Sequence, residues 1–456
     1  MLILKEHNQY YYRDCHKAYL YNTLGSDNVV VKPNPIYFKN NKEALCFNAN
    51  ISYGEKGIDN ISLETSYYIG LHYVIEWEIP VLVQPKLNTN NGQLNFYGMV
   101  EEALSEPENF NHLSDLMDIN FKDEWIEVPP NTQVELTPIL LIQFLMAVKQ
   151  LVRKGLKKSY YPKRENLKSR IKGKILVGQQ VKNNVYKNRL TYTVCQYQEF
   201  GFDTTENRFI KYVLRYVYAH LSNYQYEGFK KPLKELLNYN LAAFGQVNEE
   251  KFKYYNGKES NPFYKIYNTV FDLGNQILKL LSYSYEKSTE KPRKYPPHWI
   301  DMSKLFELYV YKKLREKYDK PGEVKYHFKT NYQELDYIIN SNGFQAVVDA
   351  KYKPRYKNGN PSKEDARQLA GYARLNSVYE ELKIASDITI PVYFIFPKEL
   401  IISVNEINAI EISTDEEAVI IDNPDSIFNS DSEVRKVKAY KKMFLQEIEL
   451  PIFKTS

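Results

Sequence analysis

The chain has 456 residues, 43% of them hydrophobic, and a formal net charge of +5. This length predicts two or three domains, and the hydrophobic content is ample for packed cores. The sequence contains no signal peptide and no apolar run long enough to span a bilayer, which excludes secreted and membrane classes and favours a cytoplasmic protein. The three cysteines, Cys15, Cys46 and Cys195, form no Cys-x-x-Cys pair, so the pattern is typical of a reducing compartment and carries no zinc signal.

Sequence patterns divide the chain into three parts. Residues 1–135 carry short strand patterns separated by loops, which predicts a β-rich domain. Residues 136–290 are predicted to be mainly helical, with a strand-like stretch from Lys174 to Tyr197 between the helices. The charged, Pro-rich residues 290–297 predict a linker, and the third domain covers residues 298–456. The helices predicted in the middle part are 138–154, 207–221, 230–237 and 264–285.

Basic residues are concentrated in the middle part. Between Lys149 and Arg189 the chain has fourteen Lys or Arg residues and a single acid, Glu165. Such a stretch is a candidate surface for phosphate contacts, which supply affinity for DNA without reading its sequence. The alternative is a solvated helix face followed by a loop.

The third part begins with a predicted amphipathic helix from Met302 to Tyr318, which carries Glu307. A strand is predicted from Val324 to Thr330, and its His327 is interpreted as a structural residue. A hairpin follows, with strands at residues 334–339 and 344–351. The turn between them, Asn340 to Gly343, contains the Asn and Gly residues that supply the positive φ angles of a tight turn. Centred on its two middle residues, this turn would pair Ile339 with Phe344.

The hairpin would bring charged side chains together. Strand side chains alternate between faces, so Asp349 and Lys351 share a face, and the pairing above makes Asp336 a diagonal neighbour of Asp349. Two carboxylates and a phosphate oxygen suffice to hold Mg²⁺, which takes oxygen ligands and keeps several waters. The ion would polarise a phosphoryl group, and Lys351 would orient the attacking water or stabilise charge on the phosphate. An Asp-x-Lys pattern also fits the wet face of an edge strand, but the apolar residues before Asp349 predict a buried strand, where charge is costly.

The next elements complete an α/β core. A helix is predicted over residues 364–372, where Asp365, Gln368 and Tyr372 share one face. An apolar strand is predicted over residues 390–397. If the strand from Val324 to Thr330 is left out, the order from Met302 is helix, strand, strand, helix, strand, which is that of many restriction-type nucleases.

These residues resemble the PD-(D/E)XK nuclease domain of the McrC family, the nuclease subunit of GTP-dependent, modification-specific restriction systems. The resemblance rests on Leu335-Asp336, on Val348-Asp349-Ala350-Lys351, on Asp365-x-x-Gln368-x-x-x-Tyr372 and on residues 393–397. The Pro that usually precedes the first Asp is Leu335 here. The similarity extends to other stretches and spans about residue 65 to about residue 400. Those stretches are residues 67–70, 79–87, 156–175, 195–200 and 203–208.

The resemblance implies a multidomain α+β protein with a β-rich amino-terminal region, a mainly helical middle and a carboxy-terminal PD-(D/E)XK domain. It implies a Mg²⁺-dependent DNA endonuclease in which Asp336 and Asp349 hold the metal and Lys351 completes the catalytic set. Glu307 and Gln368 match positions often found around such a site.

The family also implies a partner, a McrB-like AAA+ GTPase hexamer that residues 1–135 would engage and stimulate. GTP would be bound by that partner, since the chain contains no G-x-x-x-x-G-K-[ST] motif. The substrate would be double-stranded DNA containing modified cytosine, with the modification read by the partner. No association with a membrane is expected.

Two alternatives remain open from the sequence. The nuclease-like domain could be inactive in a subunit that only assembles and activates the GTPase. The same core could also serve a DNA-repair or transposition nuclease with other partners. The intact set of Asp336, Asp349 and Lys351 favours an active restriction nuclease.

Overall fold

A computed structural model describes residues 1–12, 35–54, 57–74, 79–89, 92–120, 123–128, 137–221, 227–284, 293–330, 333–353, 361–398, 426–429 and 434–452. The chain divides into two compact units. Unit one comprises Met1–Glu135 together with Thr289–Ser456, and unit two comprises Leu136–Ser288. Unit two is therefore inserted into the sequence of unit one. The first and third parts predicted from the sequence lie in the same compact unit, and their boundary as separate domains stays a prediction.

In the amino-terminal segment of unit one, the described residues form mostly short strands and one α-helix. The strands are β1 (Leu2–Lys5), β2 (Asn8–Tyr12), β3 (Ile36–Tyr37), β4 (Leu45–Gly54), β5 (Gly57–Thr65), β6 (Tyr68–Tyr73), β7 (Pro80–Gln84), β8 (Met117–Ile119) and β9 (Ile126–Val128), and the helix is α1 (Phe96–Ala103). Helix α1 begins at Asn95, whose side chain accepts a hydrogen bond from the backbone N–H of Gly98 at 2.9 Å.

Unit two combines four long helices with a three-stranded sheet. Its elements are α2 (Thr137–Lys154), β10 (Ser159–Lys168), β11 (Lys174–Ile175), β12 (Tyr192–Gly201), α3 (Thr205–His220), α4 (Glu227–Ala243) and α5 (Ile266–Ser284). The four helices agree with those predicted from apolar periodicity, with ends that differ by a few residues. Helix α3 begins at Thr204, whose hydroxyl accepts from the backbone N–H of Asn207.

The predicted strand from Lys174 to Tyr197 is wrong in its middle. Only its two ends are strands, β11 and the start of β12, and both pair antiparallel in a sheet with the order β10-β12-β11. Val177–Gln180 is a short helical turn that continues into a π-helical turn, Val181–Val185. Apolar residues in this stretch gave a strand-like pattern, but interior amide hydrogen bonds, described below, hold the helical turns instead.

The carboxy-terminal segment of unit one contributes the remaining elements. They are β13 (Arg293–Tyr295), β14 (His298–Asp301), α6 (Met302–Lys317), β15 (Val324–Lys329), β16 (Glu334–Ser341), β17 (Phe344–Ala350), α7 (Lys363–Tyr372), α8 (Asn376–Leu382), β18 (Val392–Pro397), β19 (Val434–Lys436) and β20 (Met443–Ile448). Residues 293–295 of the predicted linker are therefore strand β13, which pairs antiparallel with β9.

Strand β14 joins the two segments of unit one. It pairs antiparallel with both β6 and β8 in a five-stranded sheet of order β1-β7-β6-β14-β8. A second sheet, β2-β5-β4-β3, is built from amino-terminal strands alone. Trp299 of β14 packs into the apolar core beside these sheets, with Phe47, Leu63 and Val83. The amino-terminal sheet is thus completed by a strand that comes directly before helix α6.

The largest sheet has six strands in the order β15-β16-β17-β18-β20-β19. Strands β15, β16 and β17 are antiparallel neighbours, whereas β17, β18 and β20 run parallel. Helices α7 and α8 lie in the chain between the parallel strands β17 and β18, as a crossover connection requires. Leu335, Val347, Leu369 and Phe394 are buried in the core of this layer, and each buried side chain of this size stabilises the fold by about 1.5–3 kcal/mol.

Across the described ranges of the chain, no helix combines the length and the hydropathy needed to cross a membrane.

Candidate functional site

The hairpin of β16 and β17 turns over two residues, Asn342 and Gly343, and Gly343 has a φ of +94°. Ser341 pairs with Phe344. The predicted pairing of Ile339 with Phe344 is therefore wrong, because the ladder continues through Asn340 and Ser341 up to the Asn-Gly dipeptide that favours a two-residue turn.

This difference of two residues keeps every side chain on its predicted face but changes the neighbours. The ladder runs to Tyr337 opposite Val348, so the next positions, Asp336 and Asp349, lie opposite each other and not diagonally. The backbone N–H of Ala350 donates to Oδ2 of Asp336 at 2.8 Å, which holds that carboxylate against the returning strand. The hairpin thus brings the two predicted carboxylates closer together than the sequence suggested.

Lys351 lies beside Asp349 at the end of β17. Its Nζ is 3.0 Å from Oδ2 of Asp349, and the Asp349 side chain is only 4% exposed. That oxygen accepts no hydrogen bond of good geometry. The backbone N–H of Lys351 donates to the carbonyl of Ile395 at 2.8 Å, so the neighbouring parallel strand fixes the position from which the ammonium group reaches the carboxylate.

Charges in this cluster act strongly on one another. Burial raises the pKa of Asp336 well above its usual range, and the negative charges of Asp349 and Glu307 raise it further. Burial also raises the pKa of Asp349, to about 6, although the Lys351 ammonium opposes that shift. Burial would lower the pKa of Lys351, but the Asp349 carboxylate outweighs burial and raises it. The cluster carries more negative charge than its single ammonium balances, and a divalent cation would relieve this excess.

Glu307 reaches the cluster from helix α6, which begins at Asp301, where the carboxylate accepts from the N–H of Lys304 at 3.0 Å. Oε2 of Glu307 accepts from the Tyr326 hydroxyl at 2.9 Å and lies 3.2 Å from Nε2 of His327. Burial would raise the pKa of Glu307, but the contacts with His327, Lys304 and Tyr326 outweigh burial and hold it below its usual range. Glu307 therefore adds an ionised carboxylate beside the Asp336–Asp349 pair.

Helix α7 buries the side chain of Asp365 and leaves Gln368 exposed. It begins at Ser362, which accepts from the N–H of Asp365. Asp365 is buried, and both of its oxygens lie 3.2 Å from Nζ of Lys353. Gln368 is an exposed residue whose amide donates to the Tyr372 hydroxyl at 2.5 Å. The charges of Asp336, Asp349 and Lys351 act on the Tyr372 hydroxyl, so Gln368 is connected to the cluster through Tyr372.

The strand end beyond Lys351 is held by residues from the amino-terminal segment. Nζ of Lys86 donates to the carbonyl of Tyr352 at 2.7 Å, and the Tyr352 hydroxyl donates to Oε1 of Glu6 at 2.9 Å. Burial lowers the pKa of Lys86 to about 8, partly offset by Glu6, and raises the pKa of Glu6. These contacts tie the end of β17 to the loop after β7 and to the residue after β1.

The sequence identified Asp336, Asp349, Lys351 and Glu307, and the structure brings these four into one electrostatic cluster. It missed the pairing of Lys353 with Asp365, the contacts of Lys86 with Tyr352, and the involvement of His327, which was interpreted as structural. A helical spacing placed Asp365 on the face of Tyr372, but no spacing signals contacts between residues more than 200 positions apart. Arg355 and Lys357, basic residues after the site, lie outside the described residues.

The basic stretch between Lys149 and Arg189 overlaps the hairpin arm, defined as residues 159–201, and most of the tip of that arm, residues 169–191. The interior of the tip is polar. Asn184 is fully buried, and its amide donates to Asn166 and Gln180 at 2.8 Å each. Apolar side chains lie outside, with Tyr186 at 88% and Leu190 at 74% exposure. The other exposed apolar residues of the arm are Tyr160, Ile171, Ile175, Val177, Val181, Val185 and Phe200. The basic residues of the tip are therefore interleaved with exposed apolar ones and do not form a purely basic face.

The chain has several relatives among known proteins. The family described as McrBC 5-methylcytosine restriction system component matches residues 63–382. One similar solved structure is the half-complex from a tetradecameric assembly of Thermococcus gammatolerans McrB AAA+ hexamers with bound McrC. It is 16% identical, the match covers 98% of this chain and 94% of that chain, and the TM-score is 0.37.

A second similar structure is the cryo-EM structure of the Thermococcus gammatolerans McrBC complex. It is 14% identical, the match covers 70% of this chain and 88% of that chain, and the TM-score is 0.26. Both TM-scores are too low to carry a structural argument. Among curated proteins, none matches the sequence. The family match covers most of the chain, including Glu307, Asp336, Asp349 and Lys351. The resemblance to McrC proteins is thereby confirmed, and the chain belongs to the McrBC restriction system component family.

Proposed function

We infer that this chain is a Mg²⁺-dependent DNA endonuclease subunit, with a nuclease domain of the PD-(D/E)XK type in its carboxy-terminal region. In this role it cleaves duplex DNA carrying modified cytosine as part of a type IV restriction complex. The observation that carries the inference is the buried cluster in which Asp336 lies opposite Asp349 and Lys351 lies 3.0 Å from Asp349. Family membership supports a restriction role, and the cluster supplies the groups that phosphodiester hydrolysis needs.

The carboxylates fit a magnesium ion. Within the described residues, no three His, Cys, Asp or Glu side chains converge as a ready-made metal cage. Mg²⁺ suits such a site, because it binds through one or two carboxylates and keeps waters and phosphate oxygens as its other ligands. Asp336 and Asp349 would hold the ion. The buried Oδ2 of Asp349 contacts the Lys351 ammonium at 3.0 Å without a well-aligned hydrogen bond, so the ion would share this oxygen with Lys351. When bound, the ion would polarise the scissile phosphate and lower the pKa of a water.

Three further side chains would act on the substrate through their own charges: Lys351, Lys353 and Glu307. The Lys351 ammonium would stabilise negative charge that develops on the phosphate, since its position is fixed by strand pairing before DNA arrives. Lys353 is held by Asp365 at the same strand end and would contact a neighbouring phosphate. Glu307 adds an ionised carboxylate that would accept a hydrogen bond from the reacting water.

The proposed partner is a McrB-like AAA+ GTPase hexamer, which binds GTP and reads the modified cytosine. Residues 1–135 are proposed to engage it. The hairpin arm offers a further surface, because large exposed apolar patches on a folded protein mark sites that another protein covers. The alternating basic residues would also suit DNA contacts, but the exposed Tyr186 and Leu190 favour a protein on this surface.

A subunit that only assembles and activates the GTPase is the second candidate function. The same cluster argues against it, since an uncompensated buried charge is costly to stability and is retained where it serves chemistry. The exposed apolar arm is compatible with both functions.

The test is cleavage of methylated and unmethylated plasmid DNA with Mg²⁺ and GTP, in the presence of the AAA+ partner encoded with this chain. Asp349→Ala is compared with wild type and with Asp387→Ala, which changes an exposed Asp in the same unit. GTP hydrolysis by the partner is measured in the same reactions.

We expect Asp349→Ala to abolish cleavage of methylated plasmid while stimulation of GTP hydrolysis persists, and Asp387→Ala to behave as wild type. Unchanged cleavage in Asp349→Ala would refute the assigned site. GTPase stimulation without any cleavage by wild type would establish the activator function instead.

A further inference from the structure

His327 interrupts an otherwise regular edge strand. Strands β15 and β16 keep the same register on both sides of His327, with Tyr326 opposite Tyr337 and Phe328 opposite Leu335. His327 itself forms no ladder pair. Its φ is +54°, in the left-handed region that non-glycine residues rarely adopt. Such a conformation is strained and clusters at functional sites, so it calls for a functional explanation.

The left-handed conformation has a clear effect on side-chain direction. Successive strand residues normally point to opposite faces. Here Tyr326 and His327 reach the same oxygen, Oε2 of Glu307, at 2.9 Å and 3.2 Å. Lys304 lies 3.5 Å from that oxygen as well. All three contacts therefore meet at one oxygen of the Glu307 carboxylate.

The imidazole of His327 is itself held on both sides. Its Nδ1 contacts the carboxylate of Glu334, which can only accept, so Nδ1 carries a hydrogen. Its Nε2 lies 2.9 Å from Nζ of Lys304. If the ring carries two protons, Nε2 donates to Glu307. If it carries one, Nε2 accepts from Lys304, which itself contacts Glu307. The chain of contacts therefore reaches Glu307 in either protonation state of the ring.

We propose that Tyr326 and His327 are positioning residues that fix the Glu307 carboxylate beside the Asp336–Asp349 pair, and that the left-handed conformation at His327 exists to bring both side chains to it. This inference rests on the proposed nuclease function and adds two residues to its machinery. They act through Glu307 and do not themselves touch the phosphodiester.

The experiment compares single-turnover cleavage of methylated DNA by the full complex with Mg²⁺ and GTP. Tyr326→Phe removes only the hydroxyl, because its ring still stacks between Tyr311 and Tyr337, with centroids 5.3 Å and 5.4 Å away. His327→Gly removes the side chain but accepts the positive φ. His327→Gln keeps an amide able to replace the Nε2 contact. The matched control is Tyr311→Phe, whose hydroxyl contacts Glu108 and not Glu307.

We expect His327→Gly to lower the cleavage rate roughly 10–100-fold, as loss of a supporting contact around a catalytic ligand does. Tyr326→Phe should lose less, His327→Gln should recover part of the loss, and the DNA concentration for half-maximal rate should stay constant. Adding His327→Gly to Glu307→Gln should cause no further loss, because both changes act through the same carboxylate.

These measurements distinguish failure of the positioning proposal from failure of the proposed nuclease site. If Asp349→Ala is inactive while His327→Gly and Tyr326→Phe cleave at the wild-type rate, the positioning proposal is overturned and the nuclease function stands. Additive losses in the Glu307→Gln background would also overturn it. If Asp349→Ala cleaves as wild type, the assigned site is refuted, and the positioning proposal fails with it.

Discussion

The six-stranded sheet and the hairpin arm distribute their side chains in opposite ways. At the end of β17 the charged groups of Asp349 and Lys351 are largely withdrawn from water, among apolar strands. At the tip of the arm the buried residue is Asn184, and the apolar Tyr186 and Leu190 are in solvent. Each region departs from the usual rule of apolar inside and charged outside. In the sheet this departure supports the proposed binding of a cation and a phosphate, and at the arm it supports the proposed contact with another protein.

The largest effect should come from the buried charge. Lys351→Met removes the ammonium and leaves its aliphatic length, so the local packing survives. We expect the cleavage rate to fall about 10²–10³-fold, the loss typical of a preorganised charge aimed at a transition state. Single-turnover cleavage of methylated plasmid would measure this. A loss below threefold would indicate that Lys351 only balances the charge of Asp349.

Asp349 should also leave a signature in stability. Its pKa of about 6 in the folded protein lies above the usual 3.8, so the folded state binds the proton more tightly and gains stability as pH falls. That stability is fully present below about pH 4 and is lost as pH rises through 6, by about 3 kcal/mol. Urea denaturation in metal-free buffer at several pH values would measure it.

Asp349→Asn should flatten this pH dependence, because the amide does not titrate. Asp301 has its pKa raised to about 6 by burial and contributes a similar slope that remains in both proteins. The difference between the two curves therefore reports Asp349 together with its electrostatic coupling to Asp336 and Lys351. Identical curves would contradict the buried environment assigned to this carboxylate.

The polar interior of the arm tip gives a local prediction. Asn184→Ala removes three side-chain hydrogen bonds that link Asn184 to Asn166 and Gln180, at a cost of roughly 0.5–1.5 kcal/mol each. The N–H of Val194 donates to Gln180, so its hydrogen exchange should accelerate. Asn183→Ala changes the exposed neighbour and should leave exchange unaffected. Equal exchange in both variants would show that the amide network does not hold the tip.

The exposed side of the tip should matter least to the isolated chain. The double change Tyr186→Ser and Leu190→Ser should alter the free energy of unfolding by less than about 0.5 kcal/mol. It should nevertheless weaken stimulation of the partner GTPase, raising the half-saturating concentration roughly 30-fold, as loss of about 2 kcal/mol of apolar contact requires. Tyr218→Ser, which changes an exposed aromatic on helix α3, is the control. Normal GTPase stimulation by the double variant would contradict a protein contact at the arm and leave DNA contact as its proposed role.

Patterns local in sequence were predictable. The helix carrying Glu307, the Asn-Gly hairpin and the Asp349-x-Lys351 pair depend on residues close in the chain, and all three are present. The predicted register of β16 against β17 was wrong because the turn could be centred at either of two positions. The two differ only in whether Asn340 and Ser341 extend the ladder. Strand β14 was not predicted, since its pairing partners β6 and β8 are far away in sequence. The role of His327 depends on a backbone conformation for which its residue type gives no signal.

The insertion of unit two has a consequence for how the protein is made. Strand β6 needs β14 as its neighbour, but all of unit two is synthesised between them. At roughly 5–20 residues per second, the ribosome takes on the order of ten seconds to deliver it. During that interval strand β6 has no β14 to pair with, while the whole of unit two emerges. The five-stranded sheet of unit one can therefore be completed only after the inserted unit has been synthesised.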